Sequence, residues 1–398
     1  MQLGEKSTLN RLFLPSLCLA GLAVNVAGRT IEPLVTIISA EFLVGVATAA
    51  LLTSAYTLPF ALGQPVLGPL GDMYGKTRIL KISLLALSGS LLLAAVAPTL
   101  ELLALARFCA GLAGGGVIPA CMAAIGDVYT GERRQIAISR FITMNLLAQI
   151  FATSASGFIG EAYGWRIVIL TSACIAIVAA IATRAMLPAE ERASTQRFTL
   201  RTVVHNYGIV FRNPKAVLCY STVFLEGVAL FGILPYVGDI LTRQSRGGVA
   251  EAGMVIGALG VGGLVYVLLV SRLLLRFTRY QFMAAGGVVM PAGPLALMAS
   301  TPWHVTAFAF AITGFGFMLL HNSIQTEAVE LAPDLRQSAY SLHALSFLSG
   351  QAAGPPLMGI SMAVVGDQAS LFLSACVLAG TGIVIAWLFR RLASEGST

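Results

Sequence analysis

The chain has 398 residues, of which 57% are hydrophobic and only 11% charged, a balance that excludes an ordinary soluble globular domain. Its mean hydropathy of +0.84 and repeated uncharged runs point to a protein crossing the membrane many times. The net charge of +7 does not indicate a nucleic-acid partner, because the Lys and Arg residues sit in loops between apolar runs.

Taken in order, the apolar runs predict twelve spans, near 12–38, 45–69, 79–98, 101–126, 137–160, 166–187, 215–241, 250–274, 280–300, 303–326, 338–363 and 367–389. Each is long enough for a bilayer, which needs roughly 20 residues of helix. The run after Lys6 and Arg11 reads as an uncleaved first helix, not a removable leader. Of the 25 Lys and Arg residues, only Arg166, Arg243 and Arg246 fall in loops on the side opposite the termini. Positive charge marks the cytoplasmic face, so both ends are expected there. The six cysteines lie in or beside apolar runs with no C-x-x-C and read as small buried hydrophobes, with no metal site.

The expected organisation is all-α: a first half over 1–187, a cytoplasmic linker over 188–214 and a second half over 215–398. Residues 198–211 within the linker have the pattern of a basic amphipathic helix lying on the inner leaflet. At an offset of 202 residues, Gly157 meets Gly359, Gly164 meets Gly366, and Ser172-Ala-Cys174 meets Ser374-Ala-Cys376. Such echoes are expected of internally repeated transporters, whose substrate site lies where the repeats meet.

Between the second and third runs stands Gly68-Pro-Leu-Gly-Asp72-Met-Tyr-Gly75-Lys76-Thr-Arg78, read as a short loop that turns the chain back into the membrane. This pattern resembles the loop signature of the major facilitator superfamily, in residues, spacing and location. Its second copy is eroded: in Ser271-Arg-Leu-Leu-Leu275-Arg276-Phe-Thr-Arg279, Ser271 and Leu275 replace Gly and Asp. The resemblance implies the major facilitator fold, twelve transmembrane helices in two six-helix halves. It also implies a cavity lined by spans one, four, seven and ten. Asp127 with Arg133 and Arg134 is similar to the family's cytoplasmic charge cluster. Together with the Gly68–Arg78 loop, it is expected to hold the cytoplasmic side closed and to release as the halves rock.

Charges within spans cost roughly 2.5–3.5 kcal/mol each and are functional candidates by default. Arg29 and Glu32 lie one turn apart in span one, Arg107 in span four and Glu226 about 12 residues into span seven, roughly 18 Å deep. Glu226 is the first candidate proton carrier, since a desolvated carboxyl can bind and release protons at working pH; Glu32 is the second. The bland alternatives are a local Arg29–Glu32 pair, an Arg107 satisfied by backbone carbonyls, and a merely structural Glu226. Leu103-x-x-x-Arg107-x-x-Ala110-Gly111-x-x-Gly114-Gly115 resembles the superfamily's fourth-span motif, whose Arg is implicated in proton coupling. Here Ala110 replaces the usual Gln. Gly111 and Gly115 would also allow close helix packing.

Polar candidates for the cavity are Asn145 and Gln149 in span five, His321, Asn322 and Gln325 in span ten, and the aromatics Tyr56 and Tyr236. His321 is of interest because histidine titrates near neutrality. The span-five motif of drug–proton antiporters is weakened here to Ala152-Thr153-x-x-Ser156-Gly157, while Gly350-x-x-x-Gly354-Pro355-Pro356 stands in span eleven. No P-loop, H-E-x-x-H or G-x-S-x-G occurs. The resemblance therefore implies a monomeric secondary exporter of the bacterial inner membrane. It would move a small, partly apolar molecule with a proton gradient as driving force, no cofactor and no enzymatic step. Uptake of a small organic anion, suited by Arg29 and Arg107, and lipid flipping on the same fold are the alternatives.

Overall fold

The computed structural model describes residues 2–187 and 200–395, and the side chains among them except those of 2–11, 68–73, 200, 202 and 392–395. Among the described residues, eleven helical stretches are long and apolar enough to cross a membrane: Leu12–Glu41, Val46–Leu67, Lys76–Ala95, Leu100–Val128, Gly131–Tyr163, Trp165–Met186, Lys215–Arg243, Val249–Leu273, Arg279–Met298, Trp303–Glu330 and Asp367–Arg391. The 30-residue helix Arg336–Val365 lies between the last two. It carries more Ser and Gln than its neighbours, so it is long enough but less apolar. Numbered in chain order it is span eleven, and the chain is an all-α, multi-pass membrane protein of twelve spans. Six precede the helix Leu200–Val210 and six follow it. We call the face carrying that helix the linker side. Residues 188–199, the first part of the expected linker, lie outside the described residues.

Lipid, not water, surrounds such a bundle, so Leu85, Phe151, Ile181, Phe308 and Trp387 can remain exposed. With no hydrophobic drive between helices, association depends on close packing of small residues. Gly111 in span four lies against the Tyr56 carbonyl of span two, and Gly115 against Gly63. Gly350 and Gly354 in span eleven lie against Phe224 and Gly232 of span seven. At all four positions a β-carbon would strike backbone, so the seams require glycine.

The turn after span two is shorter than the sequence pattern suggests. The helix runs on through Gly68, Pro69 and Asp72 to Tyr74, and the reversal falls on Gly75 alone, at φ 97°. The next helix begins at Lys76. The side chain of Asp72 lies outside those described.

The 202-residue echo is carried by the backbone. Span one ends in a 3₁₀ turn over Glu32–Leu34 and a short helix over Val35–Glu41. Span seven ends in the same pair over Leu234–Tyr236 and Val237–Arg243. Gly164 and Gly366 take φ 82° and 83° at matching turns, and Leu43 and Ser245 take 52° and 53°.

The halves meet from mid-height to the side opposite the linker. Span five packs along span eight, with Gly157 against Gly253. Span two packs along span eleven, with Ala47 against Gly359. Proline shapes the second seam: Pro356 has no N–H to offer the Ala352 carbonyl one turn back, and the Ser54 hydroxyl of the other half donates to it at 2.6 Å. At the edge of the first seam, the Glu161 carboxylate accepts from the Ala250 N–H at 2.8 Å, at the N-terminus of span eight.

Candidate functional site

The first cluster arises from the break in span one. Pro33 cannot donate to the Arg29 carbonyl, so the α-helix stops at Arg29 and the last-turn carbonyls lose their partners. Arg107, 1% exposed, donates through Nη1 to the Ala27 carbonyl at 2.5 Å and through Nε to the Leu52 carbonyl at 3.4 Å. Its guanidinium lies 4.4 Å from the Tyr56 ring centre, and the Tyr56 hydroxyl donates to the Val24 carbonyl. The Ser156 hydroxyl donates to the Thr30 carbonyl. Arg107 and Tyr56 thus tie spans one, two and four around the break, and neither lines the cavity.

The break aims Arg29 and Glu32 inward. Arg29 Nη1 meets Glu32 Oε1 at 2.8 Å, leaving Glu32 Oε2 buried without a partner. Arg29 also reaches Gln149 Oε1 at 3.3 Å and, in the other half, Gln351 Oε1 at 3.4 Å. Its guanidinium covers the Phe231 ring at 4.6 Å. Asn145 is held outside this cluster: it accepts from Asn25 and donates to the Phe141 carbonyl, joining spans one and five.

The second cluster sits in the other half. Span seven widens into a π turn over Gly227–Phe231 immediately after Glu226, as π turns do at functional positions in helices. Glu226 is fully buried, and its Oε2 lies 2.8 Å from His321 Nδ1. The His321 ring stacks on Phe317 at 4.9 Å and packs on Phe347 at 4.4 Å and His343 at 4.8 Å. Glu226 Oε1 and His343 Nε2 are buried without partners. Asn322 and Gln325 are half-buried on span ten, Asn322 donating weakly to the Met318 sulfur. The Tyr236 hydroxyl donates to the Pro355 carbonyl, so this tyrosine joins spans seven and eleven.

A cavity of about 70 Å³ lies between the clusters, with Arg29, Glu32 and Gln149 on one wall and Phe231, Ile256 and Phe317 on the other. It is several-fold smaller than the ~300–1,000 Å³ typical of drug-sized sites, so a solute of that size needs the halves to part. Spans one, five, seven, eight and ten contribute its lining; span four does not, contrary to the expected set. The expected aromatics are also replaced. Tyr56 and Tyr236 are spent on backbone carbonyls, and Phe231 and Phe317 form the wall.

The charged loops come together differently from expectation. Lys76 meets Asp127 at 2.8 Å, which unites two motifs 51 residues apart in sequence. Arg133 and Arg134 are exposed, and the Arg134 guanidinium lies beside Gly126. The Lys76–Asp127 pair joins helices of one half, as Arg279 with Glu327 and Glu330 does in the other. Sequence reading passed over Gln351, Ser54, Asn25 and His343. Gln351 and His343 had a signal: each is a polar residue in a span, away from its ends.

The spans form a two-fold helical bundle with a buried polar site at the contact of its halves. The sequence profile of the Major Facilitator Superfamily matches residues 17–334 and 217–398, and the chain belongs to that family. The MFS-type transporter YceJ of Bacillus subtilis is 22% identical over 356 residues, covering 87% of this chain and 90% of its own. The chloramphenicol resistance protein of Streptomyces lividans is 22% identical over 382 residues, covering 94% and 95%. Among solved structures, the nucleoside transporter NupG superposes with a TM-score of 0.78 at 14% identity, covering 96% of this chain and 99% of that one. A bacterial homologue of the lysosomal transporter Spinster, inward-facing and unoccupied, gives 0.73 at 16%, covering 97% of each.

Proposed function

We propose that this transporter exports a small, partly apolar molecule from a bacterial cell in exchange for protons, with the linker side cytoplasmic. The observation that carries this reading is the pairing of two buried acids on opposite sides of one cavity. Glu32, beside Arg29 and Gln149, can meet a polar group of the solute, while the aromatic and aliphatic wall takes its apolar body. Glu226, behind that wall with His321, supplies the group that gains and loses a proton. The resemblance to a chloramphenicol resistance protein along almost the whole chain supports efflux. Uptake of a small organic anion is the second reading, favoured by the Arg29 guanidinium on the cavity wall.

Proteoliposomes with an inside-acidic gradient test the proposal against a panel that includes chloramphenicol, nucleosides and small organic acids. Wild-type protein should collapse the gradient when its solute is added, and Glu226→Gln should not. Glu226→Gln should still exchange labelled solute across the membrane with no gradient. Undiminished proton movement in Glu226→Gln would remove Glu226 from the mechanism, and solute movement in the same direction as protons would favour uptake.

A further inference from the structure

The second cluster contains one titratable group that the transport reading has not used. His343 is 1% exposed, its Nε2 has no partner, and its ring abuts His321, which in turn meets Glu226. Two orphaned polar atoms in one buried cluster, Glu226 Oε1 and His343 Nε2, are costly unless the site needs them free.

Depth orders the three groups. At 1.5 Å per residue, Glu226, His321 and His343 stand about 17, 14 and 10 Å from the linker-side ends of their helices. They form a descending series toward that face. On the opposite flank Phe317 contacts both His321 and the cavity, and Phe231 and Phe347 close the same wall edge-to-face. The series is thereby walled off from the solute site by three phenyl rings.

We infer that His343 passes protons between the Glu226–His321 pair and the linker side, along a path separate from the one the solute takes. The inference deepens the proton-coupled reading and rests on it. The transfer balances simply. A proton arriving at His343 Nε2 makes an imidazolium, whose Nδ1 proton passes to His321 Nε2, and the proton on His321 Nδ1 passes to Oε2 of the ionised Glu226. Each imidazole ends neutral, with its tautomer reversed, and ring rotation resets it. The titratable groups around His343 are His321 on span ten, Glu226 on span seven and Tyr340 on its own helix, whose ring centre lies 6.5 Å away. One turn toward the linker side, the Tyr220 hydroxyl donates to the Ala339 carbonyl. Glu327, farther along span ten, is bound by Arg279. Neither of these interrupts the series.

Infrared spectroscopy of the full chain in liposomes tests this with the proton itself as the probe. The carboxyl band lost in Glu226→Gln identifies the acid, and transfer into deuterium oxide then times its exchange. His343→Asn and His343→Gln should slow that exchange by about a hundredfold, the scale of a positioned proton-transfer group. The band itself should stay in place, which a merely structural role would not predict. Exchange as fast as wild type in either folded variant would overturn the relay, as would the absence of a Glu226 carboxyl band. If neither variant folds, isotope-labelled histidine in the wild-type protein gives the answer by magnetic resonance. His343 must then exchange its ring proton as fast as His321, and slower exchange overturns the relay. Rapid exchange through His343 in a protein that moves no protons with solute would refute coupled transport without touching the path.

Discussion

Arg107, a charge within a span, holds backbone in place. Its two carbonyl partners, Ala27 and Leu52, belong to different spans, and no aliphatic side chain can serve either of them. Arg107→Leu leaves both without their buried donor, at about 1–3 kcal/mol for each unsatisfied group. We expect a clear drop in the thermal unfolding temperature of detergent-purified protein, with Arg107→Lys intermediate because an ammonium lacks the planar fork. A variant that unfolds like wild type yet no longer couples protons would instead place Arg107 in the proton path. The sequence made Arg29, Glu32 and Glu226 visible, because charge within an apolar run is conspicuous. It gave no means of separating Arg107 from them. That distinction depends on which carbonyls a helix break leaves open, which is a property of two chain segments 80 residues apart.

At the scale of elements, the breaks in spans one and seven matter more than the regular helix around them. Pro33 and Pro235, 202 residues apart, each stand in a 3₁₀ turn, and the turns bring Glu32 and the Phe231 region to the same level. Span seven adds a π turn, kept open by the close approach of span eleven at Gly350 and Gly354. Gly350→Val should push the two helices apart and shift Glu226 away from His321. The expected result is lower thermal stability together with loss of gradient-driven transport, and normal values for both would disprove the seam's role. Span number and the 202-residue repeat were legible because hydropathy and turn residues record them. The π turn was not, since nothing in Gly227–Phe231 differs in composition from an ordinary apolar helix. The true end of span two was hidden as well. Gly68 and Pro69 resemble a loop, but the helix continues to Tyr74.

For the whole molecule, the contact between halves combines glycine seams and a few hydrogen bonds with a buried apolar cluster, in which Ile31, Leu34 and Ile38 of the first half join Val237, Leu241 and Val255 of the second. Glu161 adds a charge at the N-terminus of span eight, contributed by the opposite half. A carboxylate at a helix N-terminus contributes about 0.3–1 kcal/mol. Glu161→Gln should therefore move the balance toward the state open on the side opposite the linker by about two- to fivefold. Distances between spin labels on spans five and eight read that balance, and an unshifted distribution would show that Glu161 does not hold the halves together.

The asymmetry across the cavity has a further consequence. Most polar groups that line the cavity belong to the first half, and the Glu226, His321 and His343 series belongs to the second. On the proposed function, a duplicated chain parts recognition from power. Mutations that change what is carried and mutations that change what drives it would then fall in different halves. Selection by a new toxin could rewrite the first half while the second stays as it is, a freedom that a transporter with both tasks on the same helices would not have.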